Sequence, residues 1–167
     1  MIKQTLNGKW LFKEFNQKQW YEATVPGTVY TDLLNNHLME NPYWKDNEQA
    51  ALKLMEKDYI YVKNFDISEE MIMCNKILLH FDGIDTAAGI FLNGQKLAHV
   101  DNMHRIWEFD VKGYLKQSEN ELKIILESPL RYCETAFEKC KTLGSEDAID
   151  GFVHMRKAHC MFGWDWG

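Results

Sequence analysis

A hairpin signal near the middle of the sequence constrains the fold more than any other local feature. Residues 88–92 and 95–100 are rich in apolar and β-forming side chains, and Asn93-Gly94 stands between them. Both turn residues tolerate the positive φ angles that a two-residue hairpin turn requires. The pattern therefore predicts two antiparallel strands joined by a tight turn.

Other segments have the same strand-like composition. Residues 59–65 are rich in β-formers and bounded by polar residues, and residues 20–25 end at Pro26-Gly27. Many short strands with few helices are typical of an all-β fold, and they predict a jelly-roll β-sandwich. No repeat, low-complexity tract or linker divides the chain, so residues 1–167 are predicted to form one domain. The remaining predicted strands are 6–12, 76–81, 105–109 and 121–126.

Three short helices interrupt the predicted strands. Thr28 is expected to cap a helix over 29–35, and Asn47 a helix over 48–57. Ser128 followed by Pro129 is typical of an N-cap and first helical position, which predicts a third helix through about Cys140. Apolar side chains in this third helix recur at helical spacing, so its cysteines, Cys133 and Cys140, are predicted to face the core.

Composition and charge exclude several functions. The formal net charge is −6, and no basic stripe is available to contact phosphates, so nucleic-acid binding is not expected. No stretch approaches the roughly 20 apolar residues of a membrane span. No phosphate-binding glycine loop is present, and no cofactor is predicted. The four cysteines form no Cys-x-x-Cys pair and are expected to be reduced thiols.

The amino terminus bears on location. Residues 1–5 lack the apolar core of a signal peptide, which favours the cytoplasm. If a signal peptide has been removed, the periplasm or another secretory compartment is the alternative.

The last six residues place two indoles around a carboxylate between glycines. Indole faces stack on the apolar faces of sugar rings, and a carboxylate accepts two hydroxyl hydrogen bonds, so the cluster suits a hexose. The final glycine also predicts that the chain is a piece of a longer polypeptide. The cluster is Phe162-Gly163-Trp164-Asp165-Trp166-Gly167.

An ordered series of motifs covers most of the chain. The motifs are Leu6-Asn7-Gly8-Lys9-Trp10, the run from Val25-Pro26-Gly27 to Leu34, Asn41-Pro42-Tyr43, the run from Phe81-Asp82-Gly83 to Ala88, Leu92-Asn93-Gly94, Asn102-Met103-His104 and Phe109-Asp110-Val111. Together they resemble the amino-terminal, galactose-binding-like domain of the β-mannosidases in glycoside hydrolase family two, relatives of β-galactosidase and β-glucuronidase. The ending from Arg156-Lys157-Ala158 to Gly167 resembles the β-mannosidase branch in particular. One departure is Tyr59, where the family usually has Trp.

The resemblance implies a division of labour within a larger enzyme. The family continues into an immunoglobulin-like domain and a TIM barrel, and the barrel carries the two catalytic glutamates. No residue here is therefore predicted to be catalytic, and the chain alone is expected to be inactive. By resemblance, Asp165 binds hydroxyls of a terminal β-mannose and Trp164 packs on the ring edge. The partners implied are that sugar and the other domains of the polypeptide.

Each candidate residue also has a structural interpretation. In this interpretation Trp164 and Trp166 are core residues, and Asp165 stabilises a turn. Arg156 is a candidate to brace Asp165, or else forms an ordinary surface salt bridge. Trp44 follows a loop motif and is a candidate for lining the cleft.

Two alternative functions stay open. The domain is alternatively a stand-alone carbohydrate-binding module, or belongs to a β-galactosidase or β-glucuronidase. His154, His159 and Cys160 fit no common zinc spacing and lack a fourth ligand, so no metal is predicted. His80 lies in an apolar strand pattern and is predicted to be a core histidine.

Overall fold

The computed structural model describes residues 2–144 and 149–158. Within them the chain forms eight β-strands, four α-helices and one 3₁₀ helix. The strands are β1 (Gly8–Glu14), β2 (Tyr21–Val25), β3 (Tyr59–Phe65), β4 (Leu78–Phe81), β5 (Ala88–Leu92), β6 (Gln95–Val100), β7 (Trp107–Asp110) and β8 (Asn120–Leu126). The helices are α1 (Val29–Asn35), α2 (Asn47–Leu54), α3 (Glu69–Ile72), α4 (Pro129–Lys139) and the 3₁₀ helix Phe152–His154.

The strands form two antiparallel sheets. Six of them pair in the order β2-β1-β3-β8-β5-β6, and β4 pairs with β7 in a sheet of two strands. The longest pairing joins β3 and β8, where Tyr61 lies opposite Ile124. Two sheets built from eight strands, with only short helices between them, are the mostly-β architecture that the sequence predicts.

The core follows from side-chain alternation along the strands. In β1, Trp10 and Phe12 are buried whereas Leu11 between them is exposed, because successive side chains point to opposite faces. Phe12 stacks on Tyr61 of β3 with ring centroids 5.4 Å apart. The same buried cluster includes Ile90 of β5, so it crosses most of the large sheet.

Local turn and cap signals were the most accurate predictions. β5 and β6 occupy the predicted residues, and Asn93 and Gly94 have φ angles of 51° and 80°. Ser128 caps α4, its side chain accepting a hydrogen bond from the backbone of Arg131. The prediction that Asn47 caps α2 is wrong, because the helix already begins at Asn47 and its N-cap is Asp46. The side-chain amide of Asn47 donates instead to the carbonyl of Asn41 at 2.9 Å.

Two predictions about burial are wrong. Cys133 is buried as expected, but Cys140 is exposed, because α4 ends at Lys139 and residue 140 has extended backbone angles. His80 is exposed rather than a core histidine. It lies on a four-residue strand where only alternate side chains turn inward, and its imidazole contacts Glu108 and Asp82.

Candidate functional site

The predicted sugar-binding residues fall in two parts of the chain. Trp164, Asp165 and Trp166 lie outside the described residues, so their predicted roles stay predictions. Arg156 and Trp44 lie within them. The described part of the candidate site is therefore the segment 155–158, which precedes the terminal cluster in the sequence, together with the loops that hold it.

Segment 155–158 is fixed by backbone contacts to the loop between β6 and β7. Met155 is buried, with 5% of its surface exposed. Arg156 pairs with Asn102 in an isolated parallel bridge, and the N–H of Met103 donates to the carbonyl of Arg156 at 3.0 Å. The N–H of Ala158 then points at the sulfur of Met103, 3.0 Å away. The segment thus runs alongside residues 102–103 like a short additional strand.

A charged contact joins the same segment to the loop between β4 and β5. The ammonium of Lys157 forms an ion pair with the carboxylate of Asp85. Both side chains are partly shielded from solvent, with 22% of Lys157 and 32% of Asp85 exposed. The loop that carries Asp85 is itself held, because Ile84 and Thr86 on either side of it are buried.

Arg156 contributes to this arrangement through its main chain. Its side chain is exposed, and within the described residues its guanidinium makes no salt bridge or hydrogen bond. The predicted brace between Arg156 and Asp165 therefore stays a prediction. The ion pair made by its neighbour Lys157 was not expected.

Trp44 lies between α1 and α2, outside any strand or helix, as the sequence predicted. Its side chain is 63% exposed, and Tyr43 beside it is 95% exposed. The ammonium of Lys45 lies 5.9 Å from the centre of the Trp44 ring. Two adjacent exposed aromatic rings are available to stack on a sugar or to pack on another domain. The predicted place of Trp44 in the wall of a cleft stays a prediction.

A large cavity lies between elements of the two sheets and reaches the candidate site. Its volume is about 1460 Å³, which exceeds the roughly 300–1,000 Å³ of an ordinary small-molecule pocket. Aromatic and aliphatic side chains from β1, β3, β4 and β8 line it. Asp85, Lys157 and Tyr43 lie on its wall. The ion pair of Asp85 and Lys157 therefore lies on the wall of this cavity.

His80 gives the cavity wall a second charged feature. Its Nδ1 lies 2.9 Å from Glu108 and its Nε2 lies 3.0 Å from Asp82. Hydrogen bonds first to Glu108 and then to Asp82 raise the pKa of the imidazole above its ordinary value. The three side chains are exposed, so this is a solvated cluster of charges.

The described residues show no metal centre. Between residues 2 and 158, apart from the undescribed gap, no group of three or more His, Cys, Asp or Glu side chains is arranged to hold an ion. Of the three zinc candidates, His154 places its Nε2 2.9 Å from the carbonyl oxygen of Cys140. His159 and Cys160 lie outside the described residues. In the same part of the chain, no helix has both the length and the apolar content to cross a membrane.

Sequence reasoning missed the contact between Asp85 and Lys157. The two residues are 72 positions apart, and neither lies in a pattern with a defined partner. One signal was available, since both belong to motifs that carried the family resemblance, 81–88 and 156–158. Motifs distant in sequence often meet in space, but the sequence alone does not say which ones.

Comparison with known proteins gives consistent matches. A family model described as "Glycosyl hydrolase 2 galactose-binding domain-like" matches residues 10–167. A β-mannosidase of Bos taurus is 31% identical over 98% of this chain. The crystal structure of a β-D-mannosidase from Dictyoglomus thermophilum covers 97% of the chain at 40% identity, with a TM-score of 0.91.

A more distant structure shares only the fold. An exo-chitosanase of Amycolatopsis orientalis covers 74% of the chain at 18% identity, with a TM-score of 0.64. The chain spans 19% of the length of the bovine protein and 20% of the Dictyoglomus chain. Most of each relative thus has no counterpart in these 167 residues.

Proposed function

Because this chain belongs to the glycosyl hydrolase 2 galactose-binding domain-like family, we propose that it is the recognition and structural domain of an exo-acting, retaining β-mannosidase. The observation that supports this most strongly is the match to a β-D-mannosidase structure over nearly the whole chain at 40% identity. The relatives at 18% identity support the fold alone. Among the related activities, the mannosidase is therefore favoured over the galactosidase and the glucuronidase.

In this proposal the domain walls an active site whose chemistry is done elsewhere in the polypeptide. Retaining glycosidases use two carboxyl groups about 5–5.5 Å apart, one as nucleophile and one as acid and base. Those groups belong to the proposed TIM barrel. Asp165 accepts hydrogen bonds from hydroxyls of the terminal mannose, and Trp164 packs on the edge of the ring. Such contacts raise the rate when they tighten in the transition state.

The proposed partners are the non-reducing terminal β-mannose of a glycan and the immunoglobulin-like and barrel domains of the same polypeptide. The small share of each relative that the chain spans supports the second of these.

The test is Asp165→Ala in the complete polypeptide. We expect kcat/KM for nitrophenyl β-mannoside to fall by about 100-fold, because sugar hydroxyls lose their acceptor in a closed pocket. Asp46→Ala is the matched control, since Asp46 is exposed and its side chain makes no cap hydrogen bond to α2. Unchanged kinetics in Asp165→Ala would assign the cluster a purely structural role. Faster hydrolysis of the galactoside or glucuronide than of the mannoside by the unmodified enzyme would refute the mannosidase assignment.

A stand-alone carbohydrate-binding module is the second candidate. The observation that favours it is the exposure of Tyr43 and Trp44, since such modules present aromatic rings to solvent. In that case the 167-residue chain would bind sugar without help from other domains.

A further inference from the structure

We propose that Asp85 and Lys157 form a positioning pair, which fixes the position and direction of the chain at residue 157, seven residues before Trp164 in the sequence. Neither residue is proposed to touch the sugar. The consequence for catalysis rests on the function proposed above, but the anchoring of the chain does not.

Asp85 supplies a fixed point. The side chains of Ile84 and Thr86 are 8% and 7% exposed, and Ala87 is 2% exposed. Moving the loop would therefore expose buried groups on both sides of the carboxylate. Because this loop is anchored in the core of the sandwich, Asp85 holds the ammonium group of Lys157 at a fixed place.

Lys157 lies one residue before the end of the described chain, and its ammonium group pairs with the carboxylate of Asp85. Backbone contacts from Asn102 and Met103 already set the path of residue 156. Residue 157 is the next to be fixed, and its side chain reaches sideways to a different loop. Two loops thus hold two successive residues, which determines both the position and the direction of the chain there.

The direction of the chain at residue 157 matters because Trp164 follows only a few residues later in the sequence. Seven peptide steps separate Lys157 from Trp164, so Trp164 lies within roughly 25 Å of Lys157 even when the chain is extended. In this proposal, a change of direction at residue 157 alters where Trp164 and Asp165 are held. Displacements of about 1 Å at a reacting centre lower rates by about 100-fold.

A purely stabilising role is the main alternative. Lys57 and Glu14 form an ion pair of similar kind, 2.8 Å long, between the loop that precedes β3 and the last residue of β1. Neither residue of that pair belongs to segment 155–158 or to the two loops that contact it, so the pair provides a matched control. Loss of a purely stabilising pair would lower the stability of the whole domain. Loss of a positioning pair would instead affect the residues between it and the carboxyl terminus.

The first experiment measures kinetics in the complete polypeptide with nitrophenyl β-mannoside. We expect Lys157→Met and Asp85→Asn each to lower kcat/KM by about 10- to 100-fold. The double variant should be no worse than the poorer single variant, because both remove the same interaction. Lys157→Arg keeps the charge and should stay within about threefold of the unmodified enzyme, and Lys57→Met should do so as well. Additive losses, or full activity in Lys157→Met, would overturn the proposal.

The second experiment does not depend on activity. Amide hydrogen exchange of the same variants is followed in peptides that cover residues 155–167 and in peptides from β3 and β8. We expect about tenfold faster exchange in the terminal peptides of Lys157→Met and Asp85→Asn, with the strands unchanged. Faster exchange throughout would show a general stabilising role and overturn the proposal, as would no change at the terminus. If the complete polypeptide hydrolyses no mannoside, the proposed function fails while the exchange data still decide the role of the pair.

Discussion

At the scale of single residues, the carboxylate of Asp32 is a buried charged group whose two oxygens each have a hydrogen-bond donor. It is 2% exposed and accepts hydrogen bonds from the backbone of Thr24 at 3.0 Å and from the hydroxyl of Tyr61 at 2.7 Å. These bonds tie α1 to β2 and β3. Burial, followed by the hydrogen bond to Asp32, raises the pKa of Tyr61 far above its ordinary value. The phenol therefore stays protonated and serves as a permanent donor.

Removing this donor should weaken the fold. We expect Tyr61→Phe to lower the free energy of unfolding by about 1–3 kcal/mol, because one oxygen of a buried carboxylate loses its partner. Urea denaturation followed by tryptophan fluorescence measures the change. Tyr114→Phe is the control, since within the described residues the hydroxyl of Tyr114 makes no hydrogen bond. Equal stability of the two variants would mean that Asp32 finds another donor, such as water.

At the scale of elements, the start of α4 is held from three directions through Ser128. This residue is fully buried, and its hydroxyl donates to the carbonyl of Met55 at 2.7 Å while accepting from the N–H of Arg131 at 3.2 Å. Its own N–H donates to Asp58 at 2.7 Å. One serine thus caps the helix and joins it to the segment that precedes β3.

Ser128→Ala should consequently destabilise the fold more than the loss of an ordinary helix cap does. We expect it to lower the free energy of unfolding by about 2–3 kcal/mol, because the cap is lost and the carbonyl of Met55 is left without its donor. Ser68→Ala is the comparison, since Ser68 is exposed and caps the four-residue helix α3 through the N–H of Met71. There we expect a loss of about 0.5 kcal/mol. Denaturation midpoints that shift equally in both variants would contradict the bridging role of Ser128.

Elements were predictable where a few neighbouring residues decide the structure. Asn93-Gly94 fixes a turn through its own φ angles, and Ser128-Pro129 fixes a helix start, so both predictions were accurate. Helix α3 was missed although Ser68 followed by two glutamates is a cap signal, because four residues show no helical period. The prediction that His80 is buried was wrong, because composition does not say which face of a short strand points toward the core.

At the scale of the whole molecule, sequence patterns indicated the fold class and the family but not the contacts between distant segments. The pairing of β4 with β7 and the ion pair between Asp85 and Lys157 join residues far apart in the chain. Periodicity and caps are local properties, so they carry no information about such partners. The described part of the candidate site consists mainly of contacts of this kind. The resemblance indicated which motifs mattered, and the structure shows which of them meet.

The two candidate functions differ in what the 167 residues do alone. If the sugar pocket needs a second domain, calorimetric titration of this chain with mannose or manno-oligosaccharides should give no saturable heat, while the complete polypeptide binds. A cooperative unfolding transition of the chain serves as the control that it is folded. Saturable binding that disappears in Trp44→Ala would instead identify the exposed aromatic pair as the binding surface of a stand-alone module. Binding that survives in Trp44→Ala but is lost in Asp165→Ala would place a complete sugar site within this domain, against the proposal that the pocket is shared.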